Sequence, residues 1–282
     1  MRFCTFTTDG RTHVGVVEPG TGGLVALDLP DMLSLIRRPD PLALANAALA
    51  GGGTRFALSE VRLLAPIPRP DKNIYCVGLN YLAHNDEFTG GAKPPPAAPI
   101  IFSKTPTTVI GPGEAIESHS DVTREVDYEA ELAVVIGRTG RNIRKDEALD
   151  YIFGYTMVND VTARDLQRKH QQWLIGKSLD TFCPMGPFLI HRDEVAWPVA
   201  LDISCRVNGE LRQHSNTRHL IFDIPTLIET LSAGHTLEAG DIIATGTCQG
   251  VGMGFNPPRF LKPGDVVEVE IEGFGLLSNT VR

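Results

Sequence analysis

The chain has 282 residues, of which 42% are hydrophobic and 21% charged, and its formal net charge at pH 7 is −8. This composition is ordinary for a globular protein with a sizeable core, and the acidic balance argues against non-specific nucleic-acid binding, because no basic surface is available to displace counterions. No stretch reaches the roughly 18 consecutive apolar residues of a membrane helix, so we expect neither nucleic acid nor membrane as a partner.

Five cysteines are scattered along the chain, and none has the C-x-x-C spacing of a zinc or redox site. An odd number without such spacing favours reduced thiols over a disulfide framework. The first ten residues do not resemble a secretory signal, because they lack an apolar segment behind a basic head. These features predict a globular protein of the cytoplasm.

Residues 1–66 predict a small N-terminal α+β domain. Short strand patterns come first, and a helical Ala/Leu-rich stretch follows them. The predicted strands are Arg2–Thr8, His13–Val17, Leu24–Asp28 and Phe56–Pro66. The prolines at positions 66, 68 and 70 form a stiff exit, so we place a boundary there and a larger domain over residues 67–282.

In the larger domain, short apolar runs are separated by Gly and Pro, and helical patterns are few. The predicted strands are Tyr75–Gly78, Glu129–Ile136, Tyr155–Asn159, Leu201–Val207, Asp241–Thr245 and Val266–Ile271. The predicted helices are Lys145–Tyr151, Ala163–Gln172 and Ile224–Ser232. Many strands, few helices and tight turns predict an α+β fold with a β-rich roll or barrel-like core.

A possible catalytic pair lies in the segment Gly78–Glu87. His84 and Glu87 are three residues apart, so on one helical turn they share a face and can form a hydrogen bond. A carboxylate that orients an imidazole is the usual arrangement for activating water. The Gly/Pro-rich residues 90–99 that follow would let this turn act as a lid. The alternative is a surface turn whose two side chains are merely solvated.

Two acids begin the apolar run Glu129–Ile136. Residues i and i+2 of a strand point to the same face, so Glu129 and Glu131 project side by side at a buried position. Such carboxylates repel each other and are costly to desolvate unless a cation lies between them. A third acid, Asp160, ends the next apolar strand.

Three carboxylates without histidine form an all-oxygen site, which suits Mg²⁺ or Mn²⁺ better than zinc. The alternative is that Glu129 and Glu131 form an exposed strand edge and that Asp160 caps the following helix.

Polar side chains follow Asp160. Gln167 and Gln171 are four residues apart, so in the predicted helix they share a face and would hydrogen-bond a substrate. Lys177, isolated among Gly, Ser and apolar residues, would neutralise a carboxylate or an oxyanion, although most lysines are surface charges. Arg164 and Tyr81 complete the predicted substrate-binding side chains.

The glycine-rich run Ala244–Gly254 lacks the lysine of a phosphate-binding P-loop and leads into Asn256-Pro257-Pro258 instead of a helix. A nucleotide ligand is therefore not expected. Hydroxyl and backbone N–H groups in this run would bind a carboxylate instead.

Together these segments resemble the fumarylacetoacetate hydrolase family over essentially all of residues 70–282. The resemblance implies a β-rich core, a homodimer and a Mg²⁺ or Mn²⁺ site. It also implies roles for individual residues: metal ligands Glu129, Glu131 and Asp160; lid dyad His84 and Glu87; substrate-facing Gln167 and Lys177; and Thr247 at the substrate carboxylate. Cys248 departs from the family's T-G-T-P run, which puts the shape of that loop in doubt.

The working hypothesis is the metal-dependent hydrolysis of a C–C bond in an acylpyruvate-type 2,4-dioxo acid through a pyruvate enolate. His84 would take a proton from the attacking water. The same enolate serves an oxaloacetate-type decarboxylase and a hydroxymuconate-type isomerase or hydratase, which are the alternatives. A non-catalytic protein that binds small acids is the alternative from another class.

Overall fold

The computed structural model describes residues 1–92 and 94–282. The Gly/Pro-rich residues 90–99, which were predicted to let the lid move, therefore lie outside the described residues at position 93. Its strands are β1 Arg2–Thr8, β2 Arg11–Val17, β3 Gly23–Leu27, β4 Arg55–Ala57, β5 Arg62–Leu63, β6 Ile74–Gly78, β7 Ile100–Lys104, β8 Val109–Ile110, β9 Val126–Asp127, β10 Ala130–Ile136, β11 Gly140–Arg141, β12 Ile152–Asn159, β13 Thr162–Ala163, β14 Cys183–Pro184, β15 Leu189–His191, β16 Asp202–Val207, β17 Glu210–Asn216, β18 Thr236–Leu237, β19 Ile242–Ala244, β20 Val266–Ile271 and β21 Gly275–Thr280.

The helices are short and lie between these strands: α1 Met32–Ile36, α2 Pro41–Ala47, α3 Leu82–Thr89, α4 Ala148–Tyr151, α5 Arg164–Lys169, α6 Leu174–Lys177 and α7 Ile224–Ser232. Within the described ranges, each helix is too short or too polar to span a bilayer. The predicted α+β class with a β-rich core is confirmed.

One large mixed sheet runs through the molecule in the order β4-β3-β2-β1-β15-β12-β10-β19-β6-β7, and β5 pairs with β1. The N-terminal strands enter this sheet where β1 pairs antiparallel with β15, with Arg2 opposite Ile190 and Phe3 opposite Leu189. Two hydrogen-bonded strands therefore link residues 1–66 to the rest of the chain. The division into domains 1–66 and 67–282 stays a prediction.

Strand β10 is buried on both faces of this sheet. Leu132 and Val134 pack into one hydrophobic cluster, which also holds residues of β16 and β20, whereas Ala133 and Val135 pack into a second cluster on the opposite face. This alternation follows from the period of two along a strand. A four-stranded sheet, β17-β16-β20-β21, covers the first face. Glu131, near the start of β10, is therefore held in a rigid part of the sheet from which water is excluded.

Strands β12 and β15 are in close backbone contact at Gly154 in β12. A Cβ at this position would lie 2.1 Å from the carbonyl oxygen of Ile190 in β15. Because backbone cannot move aside cheaply, we expect Gly154→Ala to lower the free energy of unfolding by about 3 kcal/mol, measured by urea denaturation. The control is Gly273→Ala, where φ is +80° and no atom lies within 4 Å, so only left-handed backbone strain of about 1 kcal/mol is expected. Equal losses would contradict the clash.

Candidate active site

Three buried carboxylates meet where β10 begins and β12 ends. The two strands are antiparallel with Ala130 opposite Asn159, and the N–H of Asp160 donates to the carbonyl of Glu129 at 2.8 Å. One oxygen from each of Glu129, Glu131 and Asp160 lies within 4.8 Å of the others. The alternative of an exposed acidic strand edge is wrong, because all three side chains are buried.

Two cations that follow Asp160 in the sequence reach this cluster. Lys177 in α6 donates to Oε2 of Glu129 and to Oδ2 of Asp160, both at 2.7 Å. Arg164 in α5 donates to Oε1 of Glu129 at 2.6 Å and to Oδ2 of Asp127 at 2.9 Å. All of these side chains are buried, so the ion pairs are little screened by water.

Lys104 at the end of β7 is a third buried cation, which the sequence analysis missed. Its Nζ donates to Oδ1 of Asp160 at 2.7 Å, to the carbonyl of Val161 at 3.0 Å and to the carbonyl of Lys177. Lys104 therefore holds the metal-ligand candidate Asp160 and the backbone of Lys177 together. The available signal was a lone lysine that closes the otherwise uncharged strand Ile100–Lys104.

Asp127 was missed as well. Its Oδ1 accepts from the N–H of Gly252 at 2.6 Å, and its Oδ2 accepts from the N–H of Met253 at 3.0 Å and from Arg164. It thereby ties the glycine-rich run to the cation that faces Glu129. Two backbone N–H groups of this run thus already bind a carboxylate of the chain itself, and the expected binding of a ligand carboxylate stays a prediction.

The pKa values of Glu129 and Glu131 are shifted in opposite directions. Burial alone would raise the pKa of Glu129, but the charges of Lys177 and Arg164 reverse this and hold that pKa far below its ordinary value. Burial, together with the negative charges of Asp160 and Glu129, raises the pKa of Glu131 well above its ordinary value. Among the described residues, no cation forms an ion pair with Glu131. Its Oε2 accepts a hydrogen bond from the N–H of Gly246 at 2.8 Å.

The donor set fits a divalent cation. The buried cluster contains four acids (Asp127, Glu129, Glu131, Asp160) and three cations (Lys104, Arg164, Lys177). With Glu131 protonated, the charges of this cluster cancel. A bound divalent cation would supply the missing counter-charge, let Glu131 ionise and leave the cluster with a net charge of about +1, which attracts an anion.

The predicted dyad is present on α3. Nδ1 of His84 lies 2.9 Å from Oε2 of Glu87, and the N–H of Gly250 donates to Oε1 of Glu87 at 2.9 Å. Both oxygens of Glu87 are thus engaged, and His84 is held by one nitrogen with Nε2 left for chemistry. His84 is buried and lines a cavity of about 20 Å³ together with Glu129, Glu131, Arg164, Gln167, Lys177 and Thr247. The alternative of a solvated surface turn is therefore wrong.

The prediction that Gln167 and Gln171 share a helical face is wrong. Helix α5 ends at Lys169, His170 is extended, and Gln171 is exposed and absent from the lining of this cavity. The chain must turn here because α6 packs back on α5, where a Cβ on Gly176 would lie 2.6 Å from the backbone nitrogen of Gln167. Gln167 itself is buried, and its Oε1 accepts from Arg164 at 3.1 Å.

Thr247 and Tyr81 have different surroundings. The Thr247 hydroxyl donates to the carbonyl of Ala130 at 3.0 Å and accepts from Gln213 at 2.8 Å, so its proton would have to turn to meet a substrate carboxylate. Tyr81 is buried, and its hydroxyl has no partner within the described part of the chain. It lies outside the lining of the small cavity. Its substrate-binding role stays a prediction.

Cys248, the departure from the T-G-T-P run, is buried, and burial raises the pKa of its thiol to about 12. The thiol is therefore uncharged near neutral pH. The carbonyl of Cys248 accepts from Gln213 at 2.8 Å, so this residue is fixed in the loop by its backbone.

Comparison with known proteins decides the family. The profile described as fumarylacetoacetate (FAA) hydrolase C-terminal matches residues 73–282, well over half of the chain. The chain belongs to the fumarylacetoacetate hydrolase family. A second profile, described as Rv2993c-like, N-terminal, matches residues 1–66. The resemblance inferred from the motifs is therefore confirmed.

Individual members of the fumarylacetoacetate hydrolase family are similar over most of their length. Oxaloacetate tautomerase YisK of Bacillus subtilis (strain 168) is 55% identical over 230 residues, which cover 82% of this chain and 76% of YisK. The solved fumarylacetoacetate hydrolase EaFAH of Exiguobacterium antarcticum has a TM-score of 0.87 and 41% identity, with 100% of this chain and 99% of that chain covered.

A third similar protein is maleylpyruvate hydrolase of Sphingobium sp. SYK-6, solved with manganese (II) ion and pyruvate. It has a TM-score of 0.80 and 33% identity, covering 100% of this chain and 98% of that chain. The fumarylacetoacetate hydrolase family thus contains more than one activity among these relatives. The expected C–C hydrolysis is not confirmed, and the tautomerase similarity favours the isomerase-type alternative on the same 2-oxo acid chemistry.

Proposed function

We propose that this chain is a divalent-metal-dependent tautomerase that interconverts the enol and keto forms of oxaloacetate or a closely related 2-oxo dicarboxylic acid. The observation that carries the proposal is the buried cluster of three carboxylates faced by Lys177 and Arg164, beside a histidine fixed by Glu87. The similarity to YisK supports this substrate class. The predicted homodimer and cytoplasmic location stay predictions.

Glu129, Glu131 and Asp160 would hold the cation, for which Mg²⁺ and Mn²⁺ are the candidates because all donors are oxygen. When bound, the cation supplies Lewis-acid stabilisation of the charge that develops on the 2-oxo oxygen. The manganese and pyruvate in the maleylpyruvate hydrolase structure support both the metal class and a 2-oxo acid ligand.

The side chains of this protein would then move one proton. His84 Nε2 would remove a proton from C3 of the keto form and, as the imidazolium, return that proton to the enolate oxygen to give the enol. The reverse sequence would restore the keto form. Glu87, whose Oε2 lies 2.9 Å from Nδ1, would keep the other imidazole proton on that nitrogen. Lys177 and Arg164 place positive charge near the substrate's carboxylates and the enolate oxygen. No water is consumed, so the atoms balance without a co-reactant.

Hydrolysis of an acylpyruvate is the second candidate, because the same dyad can take a proton from water and because the maleylpyruvate hydrolase is similar over the whole chain. It requires room for a nucleophilic water and for a longer substrate. The cavity of about 20 Å³ is too small for either substrate, so both reactions require it to widen. The lid motion of α3 would provide this room.

The deciding experiment follows the ultraviolet absorbance of freshly dissolved enol-oxaloacetate with metal-stripped protein, and then after addition of Mg²⁺ or Mn²⁺. We expect metal-restored ketonisation at least about 100-fold above the buffer rate, with no pyruvate formed. Pyruvate and CO₂ from oxaloacetate would instead indicate a decarboxylase. Solvent ¹⁸O in the carboxylate products of acetylpyruvate would indicate the hydrolase. Activity that is indifferent to metal would contradict the proposed site.

A further inference from the structure

A second cavity lies apart from the candidate active site. It has a volume of about 400 Å³, and none of its lining residues lines the small cavity beside the carboxylates. Its walls are the β16–β17 hairpin and residues 258–265, which precede β20. The proposed tautomerase chemistry makes no use of it.

The walls of this cavity are strongly cationic. Arg124, Arg212, Arg259 and Lys262 line it, and Asp265 is the single acid among the described lining residues. The carboxylate of Asp265 already accepts from Asn208 and from the N–H of Lys262, each at 2.8 Å. Positive charge around this cavity therefore exceeds negative charge.

One further acid, Glu210, reaches this group of cations. It forms two hydrogen bonds of 2.7 Å with Arg259 and lies 3.3 Å from Nη2 of Arg212. A single carboxylate thus serves two guanidinium groups, and its bidentate partner is Arg259. The contact of Glu210 with Arg212 is a single, longer one, so this carboxylate compensates the charge of Arg212 less than that of Arg259.

Arg212 is the buried member of the group. Its side chain is 8% exposed, and its Nε and Nη1 have no hydrogen-bond partner among the described residues. Its guanidinium lies over the ring of Phe255 at 5.3 Å from the centroid, and that of Arg259 lies over the same ring at 5.1 Å. Arg212 also lies close enough to Tyr128 to lower the pKa of its hydroxyl, which burial raises overall. A ring face does not replace the missing N–H acceptors of a buried charge.

We propose that this cavity binds a small oxyanion, a phosphate or carboxylate group, with Arg212 as its principal contact. A guanidinium matches two oxygens of either group in a bidentate geometry. The cavity is also linked to the catalytic dyad through Gly250. A Cβ on Gly250 would lie 1.9 Å from the carbonyl oxygen of Arg212. The backbone N–H of Gly250 donates to Glu87.

Isothermal titration of the metal-loaded full chain at constant ionic strength tests the proposal, with inorganic phosphate in one arm and succinate in the other. We expect saturable binding in at least one arm, and the arm that binds identifies the oxyanion. Arg212→Met should weaken that binding at least about tenfold. The matched control Arg218→Gln removes an exposed cation outside this cavity and should change binding by less than about twofold.

Two further variants distinguish anion binding at this cavity from binding at the candidate active site. Lys177→Met should remove any binding of phosphate or succinate at the candidate active site, so that the binding that remains is the part that Arg212→Met weakens. The double variant Arg124→Gln/Lys262→Gln alters only exposed side chains and should weaken binding even if Arg212→Met fails to fold. Absence of saturable binding in both arms overturns the proposal. Binding that is lost in Lys177→Met and kept in the Arg212 and double variants also overturns it.

Discussion

Glu131→Gln is expected to abolish metal-dependent turnover without lowering the stability of the metal-free protein. Glu131 has a raised pKa and a hydrogen bond from the N–H of Gly246, which a glutamine oxygen can also accept. Removing this charge deletes a ligand, so metal affinity should fall by more than the roughly 10–100-fold that outer-shell substitutions cost. Titration of Mn²⁺ into stripped protein, followed by calorimetry, measures this loss.

Asp160→Asn is the matched comparison, since it also removes one carboxylate from the triad. Here Lys104 loses its carboxylate partner and Lys177 loses one of its two, and a buried ion pair broken on one side costs about 3–5 kcal/mol. We therefore expect Asp160→Asn, but not Glu131→Gln, to lower the free energy of unfolding without metal. Equal destabilisation by both substitutions would show that Glu131 is ionised and paired in the metal-free protein.

Glu131 also makes the stability of the metal-free protein depend on pH. A carboxyl whose folded pKa is raised binds more protons when folded than when unfolded, so stability falls as pH rises from the ordinary glutamate pKa towards the folded value. Metal-free wild type should show this decline above about pH 4.5, whereas Glu131→Gln should show less of it. Urea midpoints across this range compare the two proteins.

The acids of the site were predictable because their geometry is local. Glu129 and Glu131 share a face by strand parity, and Asp160 ends the strand that the pattern had identified. Helix α7 and strand β20 were predicted with their observed bounds, Ile224–Ser232 and Val266–Ile271. In each case an apolar pattern of clear period is bounded by turn or capping residues, so the local signal agrees with the fold.

The cations were predictable only in part, since their partners are distant in sequence. Lys104 reaches Asp160 across 56 positions and Arg164 reaches Asp127 across 37. A lysine that ends an uncharged strand is a weak local signal, because most lysines are surface charges. Helix α5 ends before Gln171 because α6 packs against it at Gly176. Tertiary packing overrides helix propensity there. The polar strand Glu210–Asn216 likewise lacked an apolar pattern.

His84→Ala is expected to lower kcat by about 10²–10⁴-fold, the range for losing a positioned acid–base group, while Mn²⁺ affinity stays within about twofold because His84 is not in the acidic triad. Exchange of deuterium into C3 of oxaloacetate, followed by NMR, should fall in parallel with kcat. A variant that exchanges deuterium at the wild-type rate would remove His84 from the proposed proton transfer.

Two milder substitutions test how Glu87 assists the imidazole of His84. Glu87→Gln keeps the side-chain shape but removes the charge that faces Nδ1 at 2.9 Å, and Gly254→Ala places a Cβ 2.1 Å from Oε1 of Glu87 without changing any titratable group. We expect both to lower kcat by about tenfold, less than His84→Ala, since the base remains but is poorly oriented. If Gly254→Ala matches wild type while Glu87→Gln does not, the contribution of Glu87 is its charge; if both fall together, it is the placement of His84.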